Sequence, residues 1–304
     1  MELFRDTQID FLGKKWWFIL PSLILIVAGL ASILARGGPL YSIDFNGGAR
    51  MDVHWEDAPP IERIRQAVSS RLAGVSVVAA RDLTGSNEVI VSVELPAGTD
   101  LSSLRQTLEQ ALSTTLQRYS VRSFEVIGPQ IGEDLRRQAL MATAGASGGM
   151  LLYLSYRFRP VYAAAAVLAM LHDAVITVGL LSLFRQEISL SVVAALLTLI
   201  GYSMNDTIVV FDRVRENRSV HRDRLVETIN RSINQTLSRT VLTSGLTLLT
   251  ALALLFFGGP VLHGFSLTLV IGIVVGTLSS IFIACPILLA WEQGRSALPA
   301  GGLR

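Results

Sequence analysis

Asp173 is the residue with the most chemical consequence in this chain. It sits near the middle of residues 160–184, PVYAAAAVLAMLHDAVITVGLLSLF. That run is long enough to cross a hydrocarbon core, which takes about 20 helical residues. An ionised carboxylate at such depth costs at least about 2.5–3.5 kcal/mol. A sequence that keeps one there pairs it, hydrates it or protonates it. His172 adjoins it and is the first candidate for polar support. The competing reading is an Asp that bonds a neighbouring helix and does nothing else. A second acid follows in GYSMNDTIVVFDRVREN (201–217), where Asn205 and Asp206 lie in an apolar helix. Counting about 27 Å from the outer end puts Asp206 near the cytoplasmic boundary, where an acid is inexpensive and serves structure or function equally well. Two acids at different depths do not share a water, which argues against an intramembrane protease. Asp212 and Glu216 are four apart with Arg213 beside them, the spacing of a helix-surface ion network. Arg213 could also reach back toward Asp206 by snorkelling.

These side chains need a membrane bundle to hold them. Of 304 residues, 51% are hydrophobic and 16% charged, where a soluble domain carries about 25% charged. A net charge of +2 gives no argument for nucleic acid. Cys285 is the single cysteine, so no internal disulfide forms, and it reads as a small buried hydrophobe. Six apolar segments stand out, at about 16–35, 139–156, 160–184, 188–210, 240–257 and 262–291. The first has no small-x-small cleavage site and is long for a signal core. Arg5, Lys14 and Lys15 precede it, Arg157 and Arg159 separate the second from the third, and seven arginines lie between the fourth and fifth. By the positive-inside rule both termini are cytoplasmic. Between 216 and 239, Leu225, Ile229, Ile233 and Leu237 recur at helical spacing. They predict a cytoplasmic-surface helix resting on lipid or on the bundle. Gly272 and Gly276 form a GxxxG pair, and Ala144, Gly145, Ser147, Gly148 and Gly149 are small. All suit close helix packing or docking of another bundle. Ser244, Thr247 and Thr250 could hydrate a polar path.

The first and second segments are separated by a soluble domain. Gly37, Gly38 and Pro39 mark its start. Residues 43–55 read as a strand, with Gly47 and Gly48 as a turn or bulge. Pro59 and Pro60 open a helix bearing Ile61, Ile64, Val68 and Leu72. Residues 75–83 and 88–95 are strand-like and joined by TGSN. Asp100 caps a second helix with Leu101, Leu104, Leu108, Ala111 and Leu112 on one face. A last strand covers 119–128. The order βαββαβ is that of a ferredoxin-like split fold. No metal cluster, nucleophile–base pair or phosphate loop is found in it. His54 stands alone as a surface or packing residue, so binding or leverage suits the domain better than catalysis.

The predicted architecture is therefore an α-helical polytopic membrane protein with six transmembrane helices and a small α+β ferredoxin-like periplasmic domain. Residues 1–36 hold the cytoplasmic N-terminus and first span, and 37–132 the periplasmic domain. Residues 133–292 hold the other five spans, with a cytoplasmic amphipathic loop at 213–239, and 293–304 form a cytoplasmic tail.

The order of IDFNGG (43–48), YRFRP (156–160), LHDAVITVG (171–179), GYSMNDTIVVFDRVREN, SRTVLTSG and FFGGPVLHGFSLTLVIG resembles the SecF family of the bacterial SecD–SecF export complex, within the resistance-nodulation-division superfamily. The resemblance covers nearly the whole chain. It implies an inner-membrane protein with a SecD partner built on the same plan. It also implies proton-driven assistance to preproteins emerging from the SecYEG channel, with YajC and YidC as further associates. By motif it gives proton-coupling roles to Asp173, Asp206 and Arg213, with His172 and Asn205 as polar support. No enzyme activity, cofactor or metal is implied, and no nucleotide-binding glycine loop occurs, so a gradient is the energy source. Two other readings stay open: an efflux transporter of the same superfamily, which usually carries two repeats, and a scaffold of the translocon with Asp173 as helix glue.

Overall fold

The computed structural model describes residues 7–72, 74–81, 87–94, 101–114, 118–220 and 224–297. The TGSN turn, the Asp100 cap and most of the predicted tail lie outside them. The chain enters helix α1, Trp16–Ala35, then a single helical turn α2, Ile43–Asn46, and strand β1, Gly48–Trp55. Helix α3 is Ile61–Ser69, β2 Ser76–Arg81, β3 Asn87–Val93, α4 Leu101–Ser113 and β4 Tyr119–Ile127. The strands form one antiparallel sheet in the order β2-β3-β1-β4. Alternation along β1 sends Ala49, Met51, Val53 and Trp55 into a core with Ile64, Val68, Leu104, Leu108 and Leu112, as a period of two requires. The predicted strand over 43–55 begins late. Ser42 Oγ accepts from Asp44 N and caps the α2 turn, and Gly47, at φ 72°, ends it. The sheet's irregularity falls at Asp52/Val53 rather than at the glycines.

The rest is helical. Helix α5 spans Pro129–Arg157, α6 Pro160–Leu183, α7 Leu190–Val220, α8 Leu225–Phe257, α9 Gly259–Ser279 and α10 Cys285–Ala297, with a π-helical turn Ser280–Ala284 between the last two. Among the described residues, five helical stretches are long and apolar enough to cross a membrane: α1, α6, α7, α8 and Val261–Gly294. The second predicted segment is therefore not matched on composition. Helix α5 has the length, but it opens on Glu133, Asp134, Arg136 and Arg137 and continues rich in Gly, Ala, Ser and Thr.

The separate surface helix expected before the fifth span does not exist. Helix α8 runs unbroken for 33 residues, about 50 Å. Ile229, Ile233 and Leu237 are buried in the bundle core with Phe211, Val214 and Leu288. The apolar periodicity thus faces protein, not lipid.

Helix α6 packs on α1, α5, α7, α9 and α10. A Cβ on Gly29 of α1 would lie 2.5 Å from Gly179 Cα of α6, so backbone meets backbone there. The GxxxG pair is likewise used inside the chain: a Cβ on Gly272 would meet Leu199, and one on Gly276 would lie 2.8 Å from the Ser203 side chain. Gly145, Gly148 and Gly149 of α5 and Gly201 of α7 face open space instead.

The small domain is tied to the bundle at the α6–α7 corner. Ser42 N donates to Ile188 O at 3.0 Å and Ile188 N to Leu40 O at 2.7 Å. Ser76 Oγ donates to Glu187 Oε1 at 2.7 Å. Asp44 Oδ2 accepts from Leu190 N at 2.8 Å. A carboxylate 146 positions upstream thus serves the first N–H of α7, the place where a helix has unsatisfied donors and favours negative charge.

Candidate functional site

Asp173 is 7% exposed and Asp206 3%. Helix α6 buries Asp173 because its apolar residues run around the whole helix, and a helix apolar all round packs at the centre. Each carboxylate has its own hydroxyl donor on a neighbouring helix. Ser203 Oγ of α7 donates to Asp173 Oδ2 at 2.6 Å, and Ser244 Oγ of α8 donates to Asp206 Oδ2 at 2.9 Å. His172 Nδ1 lies 3.0 Å from Asp173 Oδ1. Gly276 of α9 completes the wall, since a Cβ there would stand 3.5 Å from Asp173 Oδ2. A cavity of about 10 Å³ lies against Asp173, Thr177, Ser203 and Gly272, close to the space one water requires.

Ser203 and Asp206 are three residues apart on α7, an axial step of about 4.5 Å. The two acids therefore lie about one helical turn apart, closer than a mid-membrane and a boundary position. They form a staggered pair spanning four helices: α6 and α7 carry the acids, α7 and α8 the hydroxyls, and α9 supplies the small residue that lets them approach. Protonating either acid changes a hydrogen bond between two helices, which is a means of moving one against the other.

Two expected site residues are elsewhere. Asn205 is exposed and faces a groove with Gly149, Met150, Tyr153 and Gly201; the turn of α7 that buries Asp206 points its neighbour outward. Arg213 does not reach back to Asp206. Its Nε donates to Gln235 Oε1 at 2.7 Å and its Nη1 to Glu216 Oε2 at 2.6 Å, nearer partners that need no desolvation. Asp212 pairs instead with Arg157 at 3.5 Å. Gln235 Oε1 also accepts from Asn217 Nδ2 at 2.8 Å, and Asn217 reaches Ser232 Oγ at 2.8 Å. This cluster locks the C-terminal part of α7 to the N-terminal part of α8. Thr247 and Thr250 back-bond to Thr243 O and Leu246 O, so of the three suggested hydroxyls Ser244 alone joins the acids among the described residues.

The family described as protein export membrane protein SecD/SecF, C-terminal, matches residues 107–294. A protein translocase subunit SecF from Koribacter versatilis is 40% identical, with 98% of this chain and 96% of that one covered. The chain belongs to the SecD/SecF export family. The crystal structure of SecDF, a translocon-associated membrane protein from Thermus thermophilus, is 39% identical with a TM-score of 0.84 over 96% of this chain. SecDF in a super-membrane-facing form matches at 39% identity with a TM-score of 0.71 over 97%. This chain spans 40% of the length of each of those SecDF chains. Its relatives are named as translocase subunits, a transport role, and this chain is a multi-pass membrane protein of the same export family.

Proposed function

We propose that the chain is the SecF half of a device that works with SecD and uses the proton motive force to assist preproteins leaving the SecYEG channel. The observation that carries this reading is the staggered pair, Asp173 on Ser203 and Asp206 on Ser244. A charge crossing 100 mV is driven by about 2.3 kcal/mol, enough to shift a two-state equilibrium by more than tenfold. Proton binding at these carboxylates biases the α6–α7–α8 arrangement. The Asp44–Leu190 bond passes movement of α7 to the small domain. Arg213 positions α7 against α8.

In this reading α5 supplies a sixth crossing, both termini are cytoplasmic, and the chain lies in the inner membrane with 37–132 as a ferredoxin-like periplasmic domain. What supports the sixth crossing is the length of α5, and what supports the fold is the βαββαβ order with β1 at the sheet centre. SecD belongs against the α5–α7 face. The open glycines and the outward Asn205 are better met by protein than by lipid.

The test is preprotein translocation into inverted vesicles with and without a proton gradient, using Asp173→Asn and Asp206→Asn. Loss of the gradient-dependent part with normal assembly is expected. A translocon scaffold predicts full retention, and an efflux transporter predicts no export phenotype at all.

A further inference from the structure

A cavity of about 300 Å³ lies between α1, α6, α9 and the π-helical turn, apart from the small space beside Ser203. Phe18, Pro21 and Leu25 of α1, Ile176 of α6, and Leu278 and Phe282 opposite give it apolar walls. Its size is at the lower end of small-molecule sites, which are mostly apolar with a few placed polar groups. Trp17 also lines it and is 82% exposed, so the lipid side is the way in.

Ser22, His172 and Ser279 line this cavity. Ser22 Oγ donates to Ile19 O at 2.9 Å, and the other two each have a buried atom without a hydrogen-bond partner among the described residues, His172 Nε2 and Ser279 Oγ. Such atoms are costly in apolar surroundings. The other ring nitrogen of His172 faces Asp173 Oδ1 at 3.0 Å. While Asp173 is ionised its oxygen only accepts, so Nδ1 donates to it, and a neutral ring in that tautomer presents Nε2 as an acceptor. Ser279 is anomalous within its own helix. Ser266, Thr268 and Thr277 each donate to the carbonyl four residues back. Ser279 does not, although it is only 2% exposed. It stands where α9 gives way to the π-helical turn, a distortion frequent at functional sites.

We propose that this cavity is a binding site for a neutral amphiphile with a single hydroxyl on an apolar tail, of the alkyl alcohol or alkyl phenol class. With both buried atoms turned into the cavity, the hydroxyl donates to His172 Nε2 and accepts from Ser279 Oγ, while the tail lies along α1. An ether or a hydrocarbon cannot satisfy the imidazole acceptor. The site needs Asp173 ionised to hold the imidazole in this tautomer, but it does not need that acid to couple protons to export.

The probe is dodecanol carrying a photoreactive diazirine on its chain, applied to the purified full chain in lipid nanodiscs, with labelled peptides read by mass spectrometry. Label is expected within 18–25 and 275–283. Unlabelled dodecanol should compete roughly tenfold better than its methyl ether, the worth of about one hydrogen bond. Ser279→Ala and His172→Phe should each erase that preference. Ile176→Trp, which fills the cavity and keeps both polar atoms, should abolish labelling at temperatures well below its Tm, which overpacking of this buried site lowers. If His172→Phe fails to fold, Ser279→Ala and Ile176→Trp decide. Equal competition by the ether, label spread over all lipid-facing helices, or full labelling of Ile176→Trp would each overturn the proposal.

Discussion

Ser203 Oγ donates to Asp173 Oδ2 across 2.6 Å, and Gly276 is what lets it stand there, since a Cβ on Gly276 would come 2.8 Å from the Ser203 side chain. One contact therefore joins the acid of α6, the hydroxyl of α7 and the small residue of α9. Changing any of the three should alter the same observable.

Asp173→Asn keeps the size of the acid and removes its exchangeable charge. Vesicles carrying it should show basal translocation and no stimulation by a gradient. Ser203→Ala leaves the carboxylate one donor short, at a cost of about 1–3 kcal/mol, and should give a partial loss. Wild-type stimulation in both variants would make the carboxylate structural.

The glycines should separate by what they touch. Gly29→Ala drives a methyl into the Gly179 backbone, which cannot rotate aside, and overpacking of that kind costs about 1–3 kcal/mol. Gly272→Ala meets only the Leu199 side chain, which can turn away, so its loss should be smaller. Gly148→Leu has open space and should leave the Tm of the isolated chain unchanged while reducing co-purification with SecD. Thermal unfolding in detergent, with a pull-down, ranks the three.

Asp44→Ala removes the acceptor at Leu190 N. A lost helix-capping acceptor costs about 0.5–2 kcal/mol. Faster amide exchange should appear in the first turn of α7 and not at its centre. Gradient-dependent translocation should fall while Asp173 and Asp206 are untouched, because the small domain is then uncoupled from α7.

The domain at about 40–132 should unfold cooperatively when expressed alone, since its core closes on itself. Tyr119 gives it a pH signature. Burial, and secondarily the Glu109 carboxylate, raises the phenol above its ordinary pKa. Folding therefore favours the neutral form. That contribution is complete below about pH 10, the unfolded value, and is lost as pH climbs through the raised folded value. Tyr119→Phe should flatten the alkaline decline of the Tm.

Much of this was legible in the sequence where a local rule sufficed. A charge inside an apolar run marked Asp173, and alternation marked β1, β3 and β4. What escaped depends on three-dimensional neighbours. Ser203 looks like any small hydroxyl in a membrane helix, and nothing local aims it at Asp173. Asp44 reads as part of a strand, because its partner lies 146 positions away. Arg213 has several carboxylate or amide partners in reach, and spacing alone does not choose between them. Helix α8 was divided in two because its polarity changes along its length, while its hydrogen-bond ladder does not.

That unbroken α8 has a mechanical consequence. Ser244 lies on it beside Asp206, and Asn230 and Asn234 lie about 15–21 Å further along the same rod. There Asn230 Oδ1 accepts from the backbone of Phe11 and Leu12, and Asn234 clasps Ile9 through both its amide atoms. A helix without a hinge transmits rotation along its axis. One rigid helix thus joins the hydroxyl beside Asp206 to the segment that leads into α1, so α8 is built as a driveshaft between the buried acids and residues 9–12.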